Sequence, residues 1–334
     1  MIQPPSKQYD VIGIGVCAVD DTLTIEKYPQ PNVKVPVLDS TRHGGGLACT
    51  ATAAAAVLGG RTAFIARFGQ DELSRYMREI LSRRGVDVAH IVPDSVGQPY
   101  HSRILIDAST GERTVFYDQR RFKQVRAKDL PDTLLASTAV LLVDFLNLPS
   151  PIDLALKARR AGVPVVVDLE AQLPESAALA KEVDHLVVPE EFARWLAGEQ
   201  DLLKACAALA TTPRAATVVT AGANGCWWTD STSRPPVHLP AFAVKAVSTN
   251  GCGDTFHGAY ALAIARQFTV AEAVIFASAC AAIKAAGAGG GWDALPTAQQ
   301  VAAFLRERLT PDHPHRHIIA TVEALARNAR PVVE

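Results

Sequence analysis

This sequence lacks net charge, paired cysteine spacings and long uncharged apolar runs, and each lack removes a class of function. A formal net charge of −1 at pH 7 gives no general attraction to nucleic acid or to an anionic membrane surface. Hydrophobic residues fill 49% of the 334 positions, which is ample for a core. Yet no uncharged stretch reaches the length that spans a bilayer. The opening segment, Met1 to Asp10, has no apolar stretch of the secretory kind. The six cysteines, at 17, 49, 206, 226, 252 and 280, show no C-x-x-C spacing and sit among apolar neighbours. They read as reduced core thiols rather than a disulfide framework. Cys252 stands apart, because a helix N-terminus lowers a thiol pKa. No internal repeat is found. These exclusions leave a soluble, cytoplasmic chain with one large α/β domain over residues 1–334.

What is present is most informative at Thr249-Asn-Gly-Cys-Gly-Asp-Thr-Phe-His-Gly-Ala259. Here a glycine-rich turn opens a helix and sets Asp254 on its first turn. Successive backbone N–H groups in such a turn point into one small space, and the helix N-terminus adds its own unsatisfied donors and partial positive charge. That combination attracts anions, phosphate above all. A carboxylate planted there suits a base beside a phosphoryl acceptor. The residues that follow, Phe256 to Ile264, are apolar nearly all round and predict a buried helix.

The rest of the pattern places this turn in a layered fold. Tyr9–Gly15 and Ala63–Ala66 read as core strands, with helices over Leu47–Leu58 and Asp71–Arg84. From residue 135 onward, Ala139–Val143, Val163–Val167, His185–Val188 and Thr217–Thr220 are short apolar strands separated by helical stretches. That is βαβ alternation, which implies a mostly parallel sheet covered on both faces. Ligands in such sheets sit at the carboxyl ends of strands, where Asp144, Asp168 and Thr220 fall. Thr22–Tyr28, Lys34–Asp39 and a hairpin over 101–118 alternate in polarity and predict a small second sheet. Gly13-Ile-Gly15-Val-Cys-Ala18 fits a dinucleotide fingerprint, but β-type alternation follows where that site needs a helix. His313-Pro-His-Arg-His317 reads as a solvated basic turn.

Three motifs together resemble the PfkB/ribokinase carbohydrate kinases. Thr249 to Asp254 is similar to the family signature D-T-x-G-A-G-D, with Ser248 at the first Asp and Cys252 at the central Ala. Val218-Val-Thr-Ala-Gly-Ala-Asn-Gly225 is similar to the T-x-G-x-x-G nucleotide turn, and His43-Gly-Gly-Gly46 to the first signature. They occur in the family's order, and the resemblance runs from about residue 10 to about residue 310.

The resemblance implies a ribokinase-like fold, with the small sheet as a lid over a sugar and as a homodimer contact near 21–43 and 98–120. It implies ATP with Mg2+, and transfer of a phosphoryl group to a sugar. Asp254 would be the base, and the N–H groups of Gly251, Cys252 and Gly253 an anion hole. Thr220, Gly222 and Gly225 would meet the ATP phosphates, and Gly287, in Ala285–Gly291, the adenine side. Asp20 would bond the sugar hydroxyls, with Gly45 and Gly46 allowing close backbone approach. Thr50 takes the place of an Asn at the end of the first glycine motif. Glu190, in Pro189-Glu-Glu-Phe192, stands where the family's magnesium-supporting segment lies, and Ser248 weakens the case for a monovalent cation. Lys27-Tyr28-Pro29 and Gly111-Glu-Arg-Thr114 resemble the ketohexokinase branch, and His43–Gly46 the sulfofructose kinase branch. Both favour a ketose; adenosine as acceptor and a non-catalytic binder are the alternatives.

Overall fold

The computed structural model describes residues 7–144, 150–230, 235–287 and 291–328. Its large sheet has nine strands, in the order Val237–Leu239, Cys226–Asp230, Ala216–Thr220, His185–Pro189, Val165–Asp168, Thr138–Asp144, Tyr9–Ile14, Thr62–Ile65 and Val86–Asp87. Every neighbouring pair from Ala216–Thr220 to Val86–Asp87 is parallel, and at the opposite edge Cys226–Asp230 pairs antiparallel with both of its neighbours.

The unbroken apolar runs are explained by burial on both faces. Successive side chains of a strand point to opposite sides. Val140 and Leu142 accordingly pack under one helical layer, and Leu141 and Val143 under the other. The first layer holds the helices Leu47–Val57, Cys252–Ala265 and Val270–Ala286. Cys252–Ala265 has every residue from Thr255 to Ala263 buried, as its all-round apolar sequence requires. A Cβ on Gly258 would lie 2.0 Å from the Ala51 carbonyl oxygen, so only glycine lets this helix press against Leu47–Val57. Through that contact the N-termini of both helices meet at the same end of the sheet.

The second sheet has the order Asp39–Gly45, Ala18–Ile25, Tyr100–Asp107 and Arg113–Asp118. Its central pair is parallel, and the outer pairs are antiparallel. The hairpin over 101–118 lies where the alternation put it. Lys34–Asp39 does not form a strand: 32–38 is an exposed irregular segment, and the strand begins at Asp39. Pro31 and Pro36 lack the N–H that a ladder needs. The strand Ala18–Ile25 occupies the place where a dinucleotide site requires a helix, which removes that reading. Among the described residues, no helix is long and apolar enough to cross a membrane.

Candidate active site

The first glycine motif is held by a residue far away in the sequence. The helix Leu47–Val57 starts at Gly46 with no side-chain cap and no acidic residue in its first turn. Asp144, at the end of its strand, takes over: its carboxylate accepts from Ala48 N–H at 2.8 Å and from Val16 N–H at 2.8 and 3.1 Å. Burial pushes the Asp144 carboxyl up from 3.8 to about 7, against the pull of those donors. Asp144 is therefore a structural clasp rather than a ligand group. Asp144→Ala should lower the unfolding free energy by about 1–3 kcal/mol by stripping buried N–H groups of their acceptor. Because the folded carboxyl titrates above the unfolded one, its contribution is present below about pH 4 and fades as pH rises through 7. Urea melts of both proteins at pH 5 and pH 8 should show the larger gap at pH 5.

Asp20 lies on the strand Ala18–Ile25 opposite His43. A Cβ on Gly45 would stand 2.1 Å from an Asp20 carboxylate oxygen, so the carboxylate lies directly on that glycine's backbone. Burial raises the Asp20 pKa, partly offset by a hydrogen bond from Ser102 and by His43. Thr50 is buried, and its Oγ1 accepts from Trp292 Nε1 at 3.0 Å.

The second motif behaves as a turn into a helix. Gly251 has φ 72°, in the left-handed region, which glycine adopts without strain. Among the described residues, the N–H groups of Gly251, Gly253 and Asp254 have no internal acceptor, whereas Cys252 N–H reaches the Thr249 carbonyl at 3.3 Å. The open donors thus differ from the expected set: Cys252 is engaged, and Asp254 adds its own. The Cys252 thiol is not activated either. Burial and then Asp254 push its pKa up against the nearby Lys284, so desolvation outweighs the helix terminus.

Behind Asp254 lies a buried polar cluster. His257 Nε2 meets the Val187 carbonyl at 2.9 Å, and its Nδ1 lies 2.9 Å from the Gly253 carbonyl and 3.2 Å from Asp168 Oδ2. An ion pair would raise the histidine and lower the aspartate, but the shifts run the other way. Burial dominates and holds His257 below and Asp168 well above their ordinary ranges. Asp254 keeps part of its surface open to the cleft, yet desolvation, with Asp168 second, raises its carboxyl well above the usual value. If Asp254 is the base, kcat/KM should fall on the acid side with a limb displaced above the ordinary carboxylate range. A limb near pH 4 in a pH–rate profile would contradict that assignment.

Two cavities meet at this turn. One, of about 330 Å³, is lined by Asp20, Gly45, Gly46, Thr50, Gly251, Gly253 and Asp254. The other, of about 600 Å³, is more apolar and is lined by Thr220, Gly222, Gly225, Cys252, Gly253 and Phe256. Thr249 and Gly253 belong to both. The structure therefore gathers the expected acceptor residues on one side of the anion turn and the expected nucleotide residues on the other.

Two expected residues lie apart. Gly287 lines neither cavity: it ends the helix Val270–Ala286, with its N–H directed at the Lys284 carbonyl at 3.3 Å. Residues 288–290 of the same loop lie outside the described residues. Glu190 also lines neither cavity, and its carboxylate is taken by Arg194 at 2.8 Å, one turn along its own helix.

Four residues that line the smaller cavity went unforeseen: Arg113, Glu170, Lys284 and Trp292. Arg113 had a signal, since it lies in the segment Gly111–Thr114 that the sequence had already marked. Glu170 lies two residues past the strand end at Asp168, where ligands gather in parallel sheets. For a divalent cation, Glu170 is the better-placed carboxylate than Glu190. A single protein carboxylate is enough to support Mg2+, which keeps waters and leans on phosphate oxygens. Among the described residues, no cluster of three or more ligating side chains could hold a metal by itself.

A sequence profile for pfkB family carbohydrate kinases matches residues 10–298. The ribokinase of Haemophilus influenzae is 25% identical over 301 residues, covering 87% of this chain and 97% of that protein. The aminoimidazole riboside kinase of Salmonella typhimurium is 29% identical over 287 residues, covering 78% of this chain and 87% of its own. The structure of Arabidopsis thaliana ribokinase, solved with ribose and ATP, superposes with a TM-score of 0.79 at 21% identity, covering 89% of this chain and 98% of that one. At that identity the likeness shows the shared fold.

Proposed function

The chain belongs to the pfkB family of carbohydrate kinases, and we propose that it moves the γ-phosphoryl group of ATP to a hydroxyl of a ketose, a fructose-like sugar. The observation that carries this reading is the pair of cavities joined at Thr249 and Gly253, with Asp254 lining the acceptor side. Phosphoryl transfer requires donor and acceptor in line, with charge stabilised on the equatorial oxygens. The more apolar cavity takes the nucleotide, with Thr220, Gly222 and Gly225 near its phosphates. Asp20 accepts hydrogen bonds from sugar hydroxyls and fixes which one faces Asp254.

Asp254 then takes that hydroxyl's proton as the bond to phosphorus forms. Its raised pKa brings it closer to the pH at which a base both stays ionised and binds a proton well. The open N–H groups of Gly251 and Gly253 receive the phosphoryl charge. Mg2+, when bound with ATP, neutralises phosphate charge, and Glu170 is the residue that would support it. The ketose assignment rests on the lid turn Gly111–Thr114, whose Arg113 borders the acceptor cavity. A monovalent cation is not part of the reading, because Ser248 replaces the acidic residue of the motif.

The lid would also form a homodimer contact, since its edge strand exposes Val115, Phe116 and Tyr117. A monomer mass in sedimentation at micromolar concentration would count against that contact.

The test is ADP release from Mg-ATP over a panel of ketoses, aldopentoses, sugar acids and nucleosides. A ketose with the highest kcat/KM supports the assignment. The likeness to aminoimidazole riboside kinase favours a riboside as the second reading, and a nucleoside at the top of the panel would select it. ATP binding with no acceptor-dependent ADP would reject catalysis.

A further inference from the structure

Lys284 is the charged group in this molecule that most needs an explanation. It lies two residues from the end of the helix Val270–Ala286 and is 1% exposed. Burying an ammonium without a counter-charge is costly, yet among the described residues no carboxylate forms an ion pair with it, and its Nζ donates to the Asn250 carbonyl at 2.9 Å. The same helix end holds the loop before the anion turn a second way, with Val247 and Ser248 N–H groups on the Ala285 carbonyl at 2.7 and 3.1 Å. Lys284 also lines the acceptor cavity. Its Cε would be 3.7 Å from a Cβ placed on Gly251, so the charged end of the side chain lies beside the turn that carries the open donors.

The partner it holds is the informative part. Counting back four residues, Asn250 is the carbonyl that the Asp254 N–H would meet if the helix began one residue earlier. The next bond in that series, Thr255 N–H to Gly251 carbonyl at 2.9 Å, is made, but the Asp254 bond is not. The Asn250 carbonyl is turned to Lys284 instead.

We propose that Lys284 is the positioning residue of the anion turn: it draws the Asn250 carbonyl away from the helix, keeps the Asp254 N–H group open, and places a fixed positive charge beside the phosphoryl group in transit. This rests on the kinase reading above. Among the described residues no carboxylate pairs directly with the ammonium, although Asp254 lies on the same side of Gly251, so the transferring phosphoryl group would be its direct counter-charge. Burial lowers the Lys284 pKa, while Cys252 and Asp254 hold it up, and a negative phosphoryl group beside it would hold it up further.

The test compares Lys284→Met, which keeps the stem without the charge, with Lys284→Ala and Lys284→Arg. Lys284→Met should lower kcat roughly 10²-fold, the size of losing one oxyanion-hole donor, with KM for acceptor and ATP changed by no more than about threefold. Lys284→Ala should regain activity at least about tenfold with added propylammonium but not with tetramethylammonium at equal ionic strength, since only the first can donate to the carbonyl. Lys284→Arg should keep at least about a tenth of the turnover. A Met variant within about threefold of the parent kcat overturns the proposal. So does an Ala variant that propylammonium cannot revive, or an Arg variant as poor as Met.

Binding separates this outcome from failure of the kinase reading. Lys284→Met should erase the preference of the protein for ADP with aluminium fluoride, a mimic of the phosphoryl group in transit, over ADP alone, while leaving ADP affinity unchanged. That comparison needs no acceptor. An unchanged preference overturns the proposal even if turnover is never found, whereas a parent protein inactive on every acceptor counts against the kinase reading alone.

Discussion

Asp254→Asn should lower kcat by roughly 10²–10⁴-fold, the range attributable to a positioned general base, while nucleotide affinity stays within about twofold. The amide keeps the shape of the side chain but cannot take a proton. The N–H groups of Gly251, Gly253 and Asp254 belong to the backbone and are unaffected. Loss should therefore fall on kcat and on kcat/KM together, the mark of an interaction made in the transition state. Burial and Asp168 already raise the Asp254 carboxyl, so the substitution removes a group whose ionised form is disfavoured in the folded protein, and stability should not suffer. Retention of most activity by the Asn variant would remove Asp254 from the base role.

Asp20→Ala should raise the acceptor KM by about 10- to 100-fold, the loss expected for hydrogen bonds to a charged group, and leave the ATP KM within about twofold. The asymmetry follows from the geometry. Asp20 lines the smaller cavity and not the larger one. Its carboxylate lies on the Gly45 backbone, so the Ala variant opens space there without straining the chain. Burial raises the Asp20 pKa, so its ionised form is disfavoured by folding and its loss should cost the unliganded protein little stability at neutral pH. Equal effects on both ligands in initial-rate measurements would place Asp20 outside the acceptor site.

Much of this site could be read from the chain because glycine and periodicity leave direct traces. The turn at 249–254 needs glycine at 251, where φ is positive, and the all-apolar run behind it could only be a buried helix. The parallel strands were legible because burial on both faces makes them continuously apolar, as Val140 to Val143 illustrate. The second sheet was legible for the opposite reason, since alternation marks a sheet with one face in water. The error at Lys34–Asp39 came from weighing alternation above Pro31 and Pro36.

What stayed hidden depends on contacts between distant parts of the chain. Asp144 falls at a strand end, where ligands usually gather, and nothing in its neighbourhood says that it caps a helix 96 residues earlier. Lys284 and Trp292 sit among alanines and glycines with no motif of their own, and only tertiary packing brings them to the cleft. Glu190 was chosen by position in a short segment, but Arg194 one turn along claims its carboxylate. Glu170 could have been found from the strand-end rule alone. Cys252 shows the same limit in another form. A helix N-terminus favours a thiolate, but how far the thiol is desolvated is not a local property of the sequence.

The most direct measurement follows the γ-phosphoryl group itself. The protein would be incubated with Mg2+ and γ-labelled ATP together with the best acceptor from the panel, and the label traced by chromatography and mass spectrometry. The account predicts label in a sugar phosphate ester, formed in step with ADP and abolished in Asp254→Asn. Label recovered only as inorganic phosphate, or transfer that Asp254→Asn leaves intact, would contradict it.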